Sequence, residues 1–209
     1  MPHREIQRLT LYGDSISGNC MKPKWTADLL GIPYDWVEVD ILQGGTQTED
    51  FLSLNPAGQV PLARWPDGRA LPQSNAIMLY LAEEAGSDLV PSDTFRRAQM
   101  MSWLFWEQYS HETAIAVRRF QKHYLKTPED QIDPQLMARG RRALGGMELQ
   151  LTYTDWLVGD AMTLADIALV AYTRVAHEGG FDLSEFPSVE RWVSRTEAAL
   201  NIPHAKEAA

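Results

Sequence analysis

Between Asn55 and Tyr80 the chain carries so many turn and cap signals that few folds remain open to it. Pro66-Asp67-Gly68 is strong turn chemistry between two short apolar runs, Leu62 to Trp65 and Arg69 to Leu71, and predicts an antiparallel hairpin. Val60-Pro61 leads into it. A proline is tolerated at the first residue of a strand, and X–Pro is the one kind of step that adopts cis with any frequency. A cis bond there turns the Val60 N–H and C=O outward, where an extended peptide can pair by strand addition. After the hairpin, Gln73-Ser74 opens a helix running to about Glu84, with Ser74 as its predicted N-cap.

Upstream of this segment the signals alternate. Leu9 to Tyr12 reads as a strand, Gly13 to Gly18 as a loop, and Asn19 to Leu30 as a helix closed by Gly31. Pro23 then falls just beyond the first turn and removes at most one internal bond. Tyr34 to Val39 alternates as a second strand, so the pair should be parallel with a right-handed crossover. Strand, helix, strand, short helix, hairpin, helix is the thioredoxin-like layout. Ala85 to Asp93, with Gly86, Ser87 and Pro91, is the linker, and the rest of the chain reads as helical. Helices are predicted over Phe95 to His123, from Asp133-Pro134 onward, over Thr163 to His177, and over Pro187 to Leu200. The expectation is an α/β domain over 1–85 and an all-helical domain over 94–209.

The 209 residues carry a net charge of −9, which argues against nucleic acid, since a binder needs a basic face for the phosphates. A small anion remains open to it, because a helix N-terminus acts locally. The single cysteine excludes an intrachain disulfide and a Cys-x-x-Cys metal site. Met1 to Arg8 shows no signal-peptide core, and no run approaches the ~18 apolar residues of a membrane span. A cytoplasmic protein without metal is expected.

Ser17 is the residue on which chemistry is expected. It sits where a strand hands over to a helix, so its hydroxyl and the helix terminus can both stabilise a thiolate. Moving a thiol from its ordinary pKa of ~8.5 down by ~2 units takes about 2.7 kcal/mol. A charge-assisted hydrogen bond at ~1.5–3 kcal/mol and a helix end at ~0.3–1 kcal/mol cover that. Taken alone, Ser17 would be an ordinary N-cap, and Ser15 is its rival. Gln73-Ser74 offers an anion site at a helix start. Trp103, Trp106 and Tyr109 form an aromatic stripe that would ordinarily be core. His111 reads as a satisfied histidine, and Arg118 and Arg119 as a solvated face. Thr163 and Asp166 have capping-box spacing and are read as structural.

Taken together, Asn55-Pro56-Ala57-Gly58-Gln59-Val60-Pro61, Gln73-Ser74 and Ser17-Gly18-Asn19-Cys20 resemble the glutathione transferase family. Leu11 to Cys20 aligns without gaps on the serine-type pattern of its theta-like members. Ser17-x-Asn19 is similar to the Thr-x-Asn of bacterial Nu-class members. The resemblance implies Ser17 and Asn19 at the sulfur of glutathione. It implies Gln59, Val60 and Pro61 along its backbone, and Gln73 and Ser74 at its γ-glutamyl carboxylate. Gln73 replaces the Glu common at that point and carries one charge less. Trp106 and Tyr109 would wall the site of a hydrophobic electrophile. Beta-class members place a catalytic cysteine in this loop; Cys20 lies one turn into the helix and reads as a buried structural thiol. A homodimer is also implied. Two alternatives keep the fold: a glutathione-dependent disulfide reductase or peroxidase, and a non-catalytic glutathione-binding scaffold.

Overall fold

In the computed structural model, residues 7–205 are described. Met1 to Ile6, most of the N-terminal stretch in which no signal-peptide core was found, lie outside them. The chain forms two compact units, one up to Val90 and one from Pro91.

The first unit is built on a four-stranded sheet of order β2-β1-β3-β4. β1 (Leu9–Gly13) pairs parallel with β2 (Tyr34–Glu38) and antiparallel with β3 (Leu62–Arg64), which pairs antiparallel with β4 (Ala70–Pro72). Leu9 and Leu11 point into the core while Thr10 and Tyr12 are half-buried, the alternation expected of a pleated strand. Helix α1 (Gly18–Leu30) connects β1 to β2, α2 (Glu49–Leu54) precedes β3, and α3 (Ser74–Glu84) follows β4. Leu9, Leu11, Ala27, Ile32, Ala63, Trp65, Ile77 and Leu81 form the core, drawn from the sheet, from α1 and the turn that closes it, and from α3. Pro23 lies inside α1, where it deletes the N–H that would have bonded the Asn19 carbonyl.

The register carries a consequence for function. Tyr12 stands opposite Leu62, and Leu62 opposite Pro72. The exit of β1, the entry to β3 and the exit of β4 therefore share one end of the sheet. Ser17, Val60 and Gln73-Ser74 lie within a few residues of those ends.

The second unit is helical. The single long helix predicted from Phe95 to His123 is a continuous helical run with two wide turns. α4 (Thr94–Trp106) passes through a π turn at Glu107–His111 into α5 (Glu112–Arg119), and a second π turn covers Phe120–Tyr124. Each π turn accommodates an extra residue and rotates the helix faces beyond it. α6 (Pro134–Leu151) starts as expected, with Asp133 accepting the Gln135 N–H and Pro134 in the first turn. α7 (Leu164–Thr173) has every residue buried and stops short of the predicted His177; Ala176–Gly179 is a separate 3₁₀ turn. α8 is Pro187–Ala199. Asp166 anchors this unit. It completes the capping box with Thr163 and also accepts from the Leu157 N–H at 3.0 Å and the Trp192 indole N–H at 2.9 Å. Among the described residues, no helix is long and apolar enough to cross a membrane.

Two glycines of α6 separate packing from propensity. A Cβ on Gly140 would meet the buried Phe181 ring at 2.4 Å, whereas one on Gly145 would meet nothing within 4 Å. Gly140→Ala is expected to destabilise by ~1–3 kcal/mol through overpacking. Gly145→Ala is expected to stabilise by up to ~1 kcal/mol through helix propensity. Urea unfolding of both variants checks the opposite signs.

Candidate functional site

The loop after β1 is wound by one carboxylate. Asp14 is buried; its Oδ1 accepts the Ile16 N–H at 3.0 Å and its Oδ2 the Ile41 N–H at 2.8 Å. Its carbonyl accepts the Ser17 N–H at 3.0 Å. These bonds set Ser17 at the N-cap of α1. Gly13 permits the loop to start there, because a Cβ on it would lie 2.5 Å from the Trp36 ring and 2.9 Å from Cys20 Cβ.

The two serines are separated by their hydrogen bonds. Ser15 Oγ donates to Glu38 Oε1 at 3.0 Å, and the Ser15 N–H donates to the same oxygen at 2.8 Å. The Ser15 hydroxyl proton is thus committed to a carboxylate. Ser17 Oγ makes no cap bond, although it sits at the cap. It lies within hydrogen-bonding reach of the Cys20 sulfur. Burial pushes the Cys20 thiol up to about 11, against the opposing hydrogen bonds from Ser17 and the Asp14 backbone. Cys20 therefore keeps its proton at neutral pH, and its neutral sulfur is only a weak acceptor for the Ser17 hydroxyl. A stronger acceptor can draw the Ser17 O–H away from it. A buried, protonated Cys20 fits the structural-thiol reading.

Asn19 joins this loop to α3. Its Oδ1 accepts Lys22 Nζ at 2.7 Å and Ser74 Oγ at 3.2 Å. Lys22 is fully buried, and its amino group is a donor to the same carboxamide oxygen that takes the Ser74 hydroxyl. The predicted cap at Ser74 is corrected here: Gln73 occupies the N-cap position and Ser74 is the first helical residue. The reason is the hydroxyl's engagement with Asn19, which takes it away from its own helix. Gln73 has φ 74° and ψ 114°, a region non-glycine residues rarely occupy and one that costs ~1–3 kcal/mol. Such strain persists only where the surroundings enforce it. Gln73 is exposed and makes no side-chain cap bond, so its side chain does not occupy the first N–H groups of α3.

The third element is the loop before β3. Buried Asn55 donates Nδ2 to the Gln59 carbonyl at 2.7 Å and accepts the Ala57 N–H at 3.3 Å. Gly58 has φ 61°, and a Cβ there would sit 2.7 Å from Gln47 Nε2. The Val60–Pro61 bond is cis, as the sequence suggested. Among the described residues no hydrogen bond reaches the Val60 main chain, while Gln59 is exposed.

In the helical unit, Trp106 and Tyr109 line one cleft of about 560 Å³. Tyr109 is 85% exposed, and Trp106 packs edge-on against Trp103 with centroids 5.1 Å apart. His111 is fully buried against Thr173 Oγ1 at 2.9 Å. Thr173 spends its own proton on the Leu169 carbonyl at 2.7 Å, so His111 Nε2 is the donor of that pair. Arg118 and Arg119 correct the expectation of a solvated face. Both are buried; Arg118 donates to the Gly179 carbonyl at 2.8 Å and pairs with Glu129, and Arg119 pairs with Glu178. They pin the end of α5 and the second π turn to the 176–179 segment.

Three residues to which sequence reasoning assigned no role of their own organise the site: Asp14, Glu38 and Asn55, the last of which was quoted only as the start of the Asn55–Pro61 motif. Asp14 carries an Asx-turn signature that was legible. The Glu38 contact spans the parallel β1–β2 pair and has no local signal.

Glu38 supplies a pH test. Its partial burial raises its pKa, but the Ser15 N–H, the Trp36 indole and the Ser15 hydroxyl outweigh that and leave it below the ordinary 4.5. A carboxyl lowered in the folded state contributes stability above its unfolded pKa and loses it as pH falls through the folded value. The wild-type advantage over Glu38→Ala in thermal midpoint is expected to be full at pH 7 and to vanish below the ordinary glutamate range. A pH series of melting curves checks this.

Comparison with known proteins identifies the family. The glutathione S-transferase N-terminal domain model matches residues 16–84, and the C-terminal domain model matches residues 105–199. A glutathione S-transferase structure from Pseudomonas fluorescens Pf-5 is 48% identical, covering 94% of this chain and 98% of that one at a TM-score of 0.89. Glutathione S-transferase GstB of Escherichia coli K12 is 27% identical over 190 residues, 88% of this chain and 90% of that protein. Ure2p in complex with S-hexylglutathione is 25% identical, covering 95% of this chain and 98% of that one at a TM-score of 0.83. Half the chain and more is matched by these domains, and the chain belongs to the glutathione S-transferase family.

Proposed function

We propose that this protein is a glutathione transferase that lowers the pKa of the glutathione thiol through Ser17 and adds the thiolate to an electrophile. The observation that carries the reading is the division of labour between two neighbouring serines. Ser15 spends its hydroxyl proton on a carboxylate, Glu38, while the Ser17 hydroxyl, at a helix N-cap, meets only the weakly accepting Cys20 sulfur among the described residues. A hydroxyl at a helix start with its proton available is the donor a developing thiolate requires. Cys20 does not compete for it: a neutral, buried thiol is a weak acceptor, and a glutathione thiolate is a much stronger one.

In this reading the tripeptide lies along the end of the sheet. Its cysteinyl main chain pairs with the Val60 N–H and C=O, beside Gln59 and Pro61. Its γ-glutamyl carboxylate takes the first N–H groups of α3, that of Ser74 among them, together with the Gln73 side chain. Asn19, seated between Lys22 and Ser74, assists at the sulfur. The family membership and the S-hexylglutathione complex of Ure2p support the ligand. Conjugation is favoured over disulfide exchange through the protein because Cys20, buried and held near 11, offers no thiolate at neutral pH. The electrophile meets Trp106 and Tyr109. A cytoplasmic homodimer without metal completes the reading.

The test is an ultraviolet difference titration of protein-bound glutathione against pH. In the wild type the bound thiol should ionise ~2 units below its free pKa. Ser17→Ala should return it upward by ~1–2 units, the loss of one charge-assisted hydrogen bond, with kcat/KM falling ~10–100-fold. Ser15→Ala should leave the bound pKa in place. A shift indifferent to Ser17 would contradict the assignment.

A further inference from the structure

The cleft that holds Trp106 and Tyr109 carries charge as well as aromatic surface. One wall is Trp106, Tyr109, Ser110 and Thr113, which share a helical face; the other is α6, with Arg139 and Arg142 one turn apart. Its volume of about 560 Å³ suits a small organic molecule. Among the described residues neither arginine has an ion-pair or hydrogen-bond partner, whereas Arg141 between them is paired with Glu185. Two uncommitted guanidinium groups at one cleft are unexpected in a chain of net charge −9, where carboxylates outnumber cations. Thr113 gives its proton to the Tyr109 carbonyl at 2.8 Å, but Ser110 Oγ has no partner among the described residues and adds a third donor. Gly146 keeps the floor open: a Cβ there would already stand 3.8 Å from Trp106 Cζ2, so a larger side chain would occupy the space beside the indole.

From these groups we infer that the cleft receives an aromatic carboxylate, its ring against Trp106 and Tyr109 and its carboxylate held by Arg139 and Arg142. The planar guanidinium fork matches a carboxylate through two parallel N–H···O bonds, and the indole and phenol faces match a flat apolar body. A bare inorganic anion would use the arginines and leave the aromatic wall idle. As the co-substrate of a transferase, a role that rests on the proposed transferase function, the ligand would be an electrophile bearing an acid group. With 4-chloro-3-nitrobenzoate the glutathione sulfur attacks the chlorine-bearing ring carbon. The C–S bond forms, the C–Cl bond breaks, chloride leaves with the bonding pair, and the thiol proton passes to solvent.

Binding and turnover test this separately. Unreactive 4-nitrobenzoate and its neutral amide, 4-nitrobenzamide, are titrated by calorimetry into the wild type and the double variant Arg139→Gln/Arg142→Gln. Both arginines are exposed, so the variant should fold. Turnover with glutathione is then measured for 4-chloro-3-nitrobenzoate and 4-chloro-3-nitrobenzamide. The expected result is acid bound at least about tenfold tighter than amide, KM following the same order, and both preferences lost in the double variant with the amide unaffected. Equal affinity for acid and amide, or a preference that survives the double variant, overturns the inference. So does displacement of 4-nitrobenzoate by inorganic phosphate at equal concentration, which would mark an unselective anion patch. Selective binding with no turnover of either chloride overturns the co-substrate role, while the transferase reading stands or falls on the bound-glutathione titration.

Discussion

One carboxamide oxygen organises the N-terminal unit. Asn19 Oδ1 takes a proton from buried Lys22 at 2.7 Å and another from Ser74 at 3.2 Å, so the starts of α1 and α3 are tied through a single acceptor. Each helix start presents N–H groups and a positive dipole end. Held together, they make a local positive field in a chain of net charge −9. An acidic protein can in this way offer a place to an anion: the field that matters is set by backbone direction. The shared acceptor also explains why Ser74 does not cap its own helix and why Gln73 is left at φ 74°.

The register of the sheet supplies the rest. With Tyr12 opposite Leu62 and Leu62 opposite Pro72, three loops distant in sequence end side by side. Side chains then set each loop. Asp14 winds the Ser17 loop and Asn55 the Val60 loop, while Glu38 removes Ser15 from competition. None of these three need touch a ligand to decide what the site can do.

Much of this was legible in the chain. The Pro66-Asp67-Gly68 turn, the alternation of Leu9 to Tyr12 and the apolar spacing of α1 are local signals, and the elements lie where those signals put them. The cis step at Val60-Pro61 and the capping box at Thr163 and Asp166 were equally local. What escaped depended on partners far along the chain. The Glu38 contact to Ser15 needs the β1–β2 pairing. Ser74 yields its cap to Gln73 because of a residue 55 positions away. Arg118 and Arg119 look like a charged surface until Gly179, Glu129 and Glu178 fold against them. The arginines of α6 gave no sequence signal either, because only the paired state of Arg141 sets Arg139 and Arg142 apart.

The central claim is that the N-terminal unit alone presents both ends of a glutathione site, thiol and carboxylate, at one end of its sheet. A titration of ¹⁵N-labelled protein with glutathione, followed by amide chemical shifts, tests it most directly. The account predicts saturable shifts concentrated at Ser17 to Asn19, Gln59 to Val60 and Gln73 to Ala76, weakened together by Asn19→Ala. Shifts confined to one of these segments, or centred outside them, would contradict it.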